Sequence, residues 1–172
     1  MVNDFKQVVY RPYEFNGQTF YEPRHPNNQR LIYRKAVLEA PFGLDNDFDK
    51  YNIKCMLNLK DNDNIDLYNF IKRIEMRNMK YLDVDEEKYK SALYIRRNKN
   101  KPIFKAFILT RNKKPYVDIM FDNEKDVKTI YDLERNSKIE CDIIMGSVWK
   151  NPKAKKNKAG MSIHINNIRV IQ

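Results

Sequence analysis

The chain has 172 residues and a mass of 20.8 kDa; 42% are apolar, 12% are aromatic, and the net charge is +10. That length fits one domain burying roughly 70% of its unfolded surface, and the apolar content excludes a disordered chain despite a mean hydropathy of −0.77. No run approaches the roughly 18 apolar residues of a membrane span, and a start interrupted by Asp4 and Lys6 lacks the apolar stretch of a secretory signal, so neither membrane nor secretion is expected.

The first thirty residues are rich in Pro, Asn and Tyr around a turn at Asn16-Gly17, and read as an arm or hairpin laid against a main domain of residues 31–172. LIYRKAVLEAPF, Leu31 to Phe42, reads as a strand stopped by Pro41 and Gly43. DNDFDK then connects to a second strand, where Tyr51, Ile53, Cys55, Leu57 and Leu59 alternate with Asn52, Lys54, Met56 and Asn58. One face should pack, leaving Lys54 on the polar one. Asn64 is placed to cap a helix from about Ile65 to Lys80, with Leu67, Phe70, Ile71 and Ile74 as its buried stripe. DVDEEKYKSAL reads as a short helix or a loop. Strands follow at Ile103 to Thr110 and Tyr116 to Phe121 across a turn-like NKKP, then a short helix over 124–134. Two long strands, Ser137 to Lys150 and Met161 to Ile171, flank the basic loop NPKAKKNKAG. About five strands with a helix between core strands fit a mainly β, α-decorated Greek-key barrel.

Catalytic chemistry finds few candidates. His25 and His164 lack the paired spacing of a zinc site, and Cys55 and Cys141 lie far apart in apolar runs, which suits a reducing interior. Asp45, Asp47 and Asp49 begin like a calcium loop, but Lys50 stands where Gly is needed and Met56 where a bidentate Glu is needed. Four scattered glycines cannot build a phosphate loop. Asp83, Asp85, Glu86 and Glu87 are more simply a solvated acidic cluster than a nuclease centre. The expectation is a protein that is not an enzyme and holds no metal or cofactor.

The charge is unevenly distributed. Residues 95–115 carry Arg96, Arg97, Lys99, Lys101, Lys105, Arg111, Lys113 and Lys114 without an acid; the chain from Ile143 onward adds Lys150, Lys153, Lys155, Lys156, Lys158 and Arg169, again without one. The remainder, with 19 basic and 23 acidic side chains, is net negative. Such segregation is the footprint of a polyanion site. Aromatics interleave with these cations, and unpaired bases stack on aromatic rings while cations follow the phosphates. The candidate surface comprises Arg34 and Lys35 beside Tyr33, Tyr51 and Lys54, Tyr94 with Arg96 and Arg97, Lys105 between Phe104 and Phe107, and Trp149 with Lys150. Alternation puts Lys105 and Phe104 on opposite faces, so some of these rings belong to the core. Trp149 borders the Lys-rich loop, which favours a stacking platform over a core position.

Three segments resemble one family: PFGL at Pro41 to Leu44 leading to Lys50-Tyr51; the helix of Leu67, Phe70 and Ile74; and the ending Val148-Trp149, basic loop, Gly160, Ser162, Ile168-Arg169-Val170. Together they resemble the OB-fold single-stranded-DNA-binding proteins of nucleocytoplasmic large DNA viruses, relatives of the T7-like phage proteins. The resemblance implies a five-stranded barrel that coats single-stranded DNA during viral replication, recombination and repair, in the host cytoplasm or nucleus. Two departures stand out. The chain ends IRVIQ, so the recruitment assigned to an acidic tail does not carry over, and Lys150 replaces the aromatic that often follows the tryptophan. RNA as the partner, a protein-interaction role for the barrel, and self-association through residues 1–30 stay open.

Overall fold

Alternating apolar residues separated by Asn, Gly and Pro punctuation build the strands, and the computed structural model describes residues 7–48, 50–95, 100–122 and 128–171. Asn16 and Gly17 both take positive φ, 51° and 73°, so a two-residue turn closes β1 (Val9–Phe15) onto β2 (Gln18–Arg24) with Phe15 opposite Gln18. The hairpin does not stand apart: β2 pairs with a later strand through Tyr21 and Phe20. β3 (Ile32–Ala40) follows, then β4 (Leu44–Asp47) and β5 (Lys50–Met56). The first half of the stretch read as a connecting loop, Asp45 to Asp47, is therefore part of a strand, with Leu44 opposite Ile53 and Asp47 opposite Lys50.

Helix α1 (Asn62–Leu82) is capped by Asp61, whose carboxylate accepts from the Asp63 N–H at 2.9 Å. Asn64 is not the cap. It is buried, donating to the Val37 carbonyl at 3.0 Å and accepting from the Asn58 N–H at 3.0 Å, which fastens the first turn to β3. The stripe of Leu67, Phe70, Ile71 and Ile74 is buried as periodicity predicts, continuing through Glu75, Asn78 and Leu82. A 3-10 turn at Glu86–Lys88 leads into β6 (Tyr89–Lys90), β7 (Leu93–Tyr94) and β8 (Ile103–Phe107). β9 (Thr110–Arg111) and β10 (Lys114–Pro115) form a hairpin turned by Asn112 and Lys113, and β11 (Ile119–Phe121) follows. The strands expected over 103–110 and 116–121 are thus shorter than predicted. Of the helix expected over 124–134, the described part holds one 3-10 turn, Ile130–Asp132, capped reciprocally by Thr129 and Asp132. Residues 123–127 lie outside the described residues. β12 (Ser137–Lys150) and β13 (Ala159–Ile171) complete the chain.

Five strands close into a ring in the order β3, β5, β8, β13, β12 and back to β3; β8 and β13 run parallel and the other pairings are antiparallel. The fold is mainly β, an OB-like Greek-key barrel, with α1 between its second and third strands. Inside the ring lie Ile53, Cys55, Phe104, Ile139, Ile143, Met145 and Ile163, all at most 1% exposed, and the apolar face of α1 joins this core. Both cysteines are free, and burial pushes both thiols up, away from the reactive thiolate. Among the described residues, no helix is long and apolar enough to cross a membrane.

Candidate nucleic-acid interface

Strand alternation sorts the barrel's two faces. On β8, Phe104 and Ala106 point inward and Lys105 and Phe107 outward; on β13, Ile163 and Ile165 are buried while Ser162 and His164 are partly exposed. On β12, Val148 is fully buried and Trp149 lies on the opposite, outward face. These outward residues meet in a hollow of about 320 Å³, where Trp149, Phe107, Tyr94, Lys105 and Lys90 surround Ser162. Trp149 is half-buried and pairs across the ladder with Gly160. A Cβ on Gly160 would lie 2.5 Å from the indole Cζ2, so only a glycine lets the ring settle there.

The hollow's rim is fastened by polar groups of the helix. Glu75, 1% exposed, accepts from the Ala92 N–H at 2.6 Å and the Ser91 hydroxyl at 2.8 Å, with the Lys72 ammonium at 3.4 Å. Asn78, fully buried, accepts from the Tyr10 hydroxyl at 2.8 Å and donates to the Tyr89 hydroxyl at 3.1 Å, tying both the hairpin and β6 to the helix. Tyr81 reinforces the hairpin's seat, stacking on Tyr10 with ring centroids 4.0 Å apart.

Acidic side chains of β4 stand over the barrel's cations. Lys54 on β5 and Lys105 on β8 are cross-strand partners. Asp45 takes the Lys54 ammonium at 2.7 Å and Asp47 takes Lys105, so one short strand supplies a carboxylate to each lysine. The hydrogen bond between them holds the Asp45 carboxyl below its ordinary range and raises Lys54 above its own. Phe42 completes the set, with the Lys54 ammonium 5.4 Å from its ring centroid.

Other predicted residues are dispersed. Tyr51 does not share the face of Lys54, three positions on: it packs against the core and meets Tyr131 edge-on at 6.0 Å. Lys153, Lys155 and Lys156 are exposed on the loop between β12 and β13, with Lys158 half-buried; that loop is closed by Asn151 N–H to the Lys158 carbonyl at 2.6 Å. Lys150 donates to the Leu82 carbonyl at the helix C-terminus, where the dipole favours a cation. Arg34 and Lys35 sit elsewhere: Asp142 takes the Arg34 guanidinium at 3.2 Å and the Lys35 N–H at 3.1 Å. Asp142 lies seven residues from Trp149 on β12, roughly 23 Å at the rise of a strand. Arg169 is bound to Asp122 at 2.7 Å beside β11, at the end of β13 away from Gly160. Arg111 is exposed on the β9–β10 hairpin, and Lys101 precedes β8. Arg96, Arg97 and Lys99 lie outside the described residues.

Lys90, Ser91 and Glu75 were missed by sequence reasoning, and Asp45 and Asp47 were weighed only as a calcium loop and not as partners of Lys54 and Lys105. For Glu75 a signal existed: it adjoins the apolar stripe Leu67, Ile71, Ile74, so a carboxylate there needs partners. Among the described residues, no three His, Cys, Asp or Glu side chains gather as metal ligands would.

A closed five-stranded ring with one parallel pairing, bearing Lys105 and Phe107 on the outward face of β8 and Trp149 on that of β12, defines an OB-like barrel. The chain is similar in structure to gp2.5, a single-stranded DNA binding protein encoded by bacteriophage T7: the TM-score is 0.58 at 12% identity, covering 83% of this chain and 87% of that one. The fold that the resemblance to T7-like phage proteins implies is thus the fold observed. No family model matches the chain, and no curated protein does.

Proposed function

We propose that this protein binds and covers single-stranded DNA without catalysing a reaction on it. The observation that carries the reading is the hollow where Trp149, Phe107 and Tyr94 converge with Lys90 and Lys105 on an outward barrel face. Rings accept any base and lysines accept the phosphates that link them, which is what sequence-tolerant binding requires. The OB strand 2–3 face and the loops joining strands 1–2 and 4–5 are where this architecture takes oligonucleotides. In this chain those are β5 and β8, the β3–β5 connection bearing Asp45 and Asp47, and the loop bearing Lys153, Lys155, Lys156 and Lys158. The likeness to gp2.5 supports the same reading. The resemblance of PFGL and of the Trp149 to Ser162 ending extends it to replication, recombination and repair of a large DNA virus genome, in host cytoplasm or nucleus.

Titration of the Trp149 emission with matched single-stranded DNA, duplex DNA and RNA oligomers, at two salt concentrations, tests the proposal. The expected result is quenching by single-stranded DNA, with a log-log salt slope of about −3 for four to five phosphate contacts. Stronger quenching by RNA would reassign the ligand, and no response to any oligomer would refute the reading.

A further inference from the structure

Beside the first hollow, on the same outward face, lies a second of about 360 Å³. Its floor is Gly146 and Ser147, where the β12–β13 register slips between Met145 and Val148, together with His164 and Asn166 on β13. Sheet order places β1 and β2 beyond β12 on one side and β8 beyond β13 on the other. Tyr13 of the hairpin therefore walls one side. Tyr116 walls the other, its N–H donating to the Leu109 carbonyl at 2.7 Å.

Each part suits a nucleotide. A Cβ on Gly146 would lie 2.4 Å from the His164 Cδ2, so the missing side chain is what makes room for the imidazole in the floor. Burial, aided by the charge of Arg30, lowers the His164 pKa and leaves an uncharged ring there at neutral pH. Tyr116 is 64% exposed, a ring on which a base can stack. Arg30 supplies the cation. It is 3.5 Å from Glu22, but the other oxygen of Glu22 is held by both Nε (3.0 Å) and Nη2 (2.8 Å) of Arg24. Arg30 can turn to a phosphate without leaving that carboxylate uncompensated.

The two hollows are neighbours along β13. Ser162 lines the first and His164 the second, and the Ser162 hydroxyl lies 3.2 Å from the His164 Nε2. Residues two apart on one strand are separated by roughly 7 Å, a short step for an extended strand of nucleic acid. We infer that the second hollow is a nucleotide subsite for the same single strand, with the base against Tyr116 and Tyr13 and the phosphate on Arg30. The inference rests on the proposed DNA-binding reading and extends the footprint from the barrel to the N-terminal hairpin.

Oligothymidylates of about four and about ten nucleotides, titrated at low salt, separate the hollows, because the shorter fills one and the longer spans both. With Tyr116→Ala, affinity for the longer oligomer should fall roughly 5- to 150-fold while the shorter binds as it does to the parent. With Arg30→Gln, the salt slope for the longer oligomer should become shallower by about 0.7 and that for the shorter should not change. Thermal unfolding of both variants should match the parent, since both side chains are exposed. If both variants bind the longer oligomer as the parent does, or weaken both lengths equally, the second subsite is overturned while Trp149 quenching by the shorter still upholds the first. If the shorter fails to bind the parent, the first hollow falls and the second with it.

Discussion

Asp45→Asn with Asp47→Asn should tighten binding of single-stranded DNA. In the free protein these carboxylates occupy the ammonium groups of Lys54 and Lys105, where phosphates would sit. A strand that uses either lysine must first displace its carboxylate. Lys54 and Asp45 are 22% and 34% exposed, so the pair is worth no more than a surface ion pair, about 0.2–1 kcal/mol, and the more exposed Lys105–Asp47 pair no more than that. Removing both carboxylates should therefore raise affinity by about 0.5–2 kcal/mol, or roughly 2- to 30-fold. Asparagine keeps the oxygen that accepts from the Asn46 N–H, so the strand should survive. The salt dependence carries a second signature. In the parent, an abandoned carboxylate recaptures a cation as the phosphate releases one; in the double variant that exchange is gone. The log-log slope should steepen by about 0.7 for each lysine engaged. Fluorescence anisotropy with a labelled oligomer across several salt concentrations measures both quantities, and thermal unfolding controls for folding. Unchanged affinity and slope would refute the competition. Weaker binding by a normally folded variant would show that the carboxylates hold the lysines in a useful position instead.

Trp149→Ala should cost about 1–3 kcal/mol of binding while changing unfolding less, because the ring lies outside the barrel core; denaturant unfolding beside titration on the same variant checks both. Replacing Lys153, Lys155, Lys156 and Lys158 with Gln should weaken binding and flatten its salt dependence without moving the melting temperature, and a parent-like titration would leave that loop a mere connector. Acid should destabilise the protein through His164. Its folded pKa is depressed, so the unfolded chain takes the proton first: this contribution is fully present above about pH 6.5 and declines as pH falls toward the folded value. Unfolding free energies measured across that range should fall in the parent and stay flatter in His164→Gln.

Local chemistry was legible wherever one short segment carried the whole signal. Asn16-Gly17 specifies its turn, the spacing of Leu67, Phe70, Ile71 and Ile74 specifies the helix face, and the long apolar runs give β12 almost residue for residue. β4 was not legible, because an edge strand of Asp and Asn has the composition of a solvated loop. The candidate site was harder for a related reason. Counting cations along the chain ignores acids that arrive from elsewhere, and the partners of Arg34 and Lys105 lie 108 and 58 residues away. Tyr51 is a different failure: the parity of β5 already separated it from Lys54, and grouping residues by chemical type overrode the geometry. Trp149 lies on the outward face of β12, and the glycine that seats its ring comes from the opposite strand and is invisible to a linear reading.

Photo-crosslinking of a halogenated-pyrimidine single-stranded oligomer, with the attachment points located by mass spectrometry, tests the central claim most directly. The structure places the acceptor rings on one face, so adducts are predicted at Trp149, Phe107 and Tyr94, suppressed by high salt and by unlabelled single strands but not by duplex. Adducts confined to the exposed side of α1 or to β11, with those three rings unmodified, would contradict it.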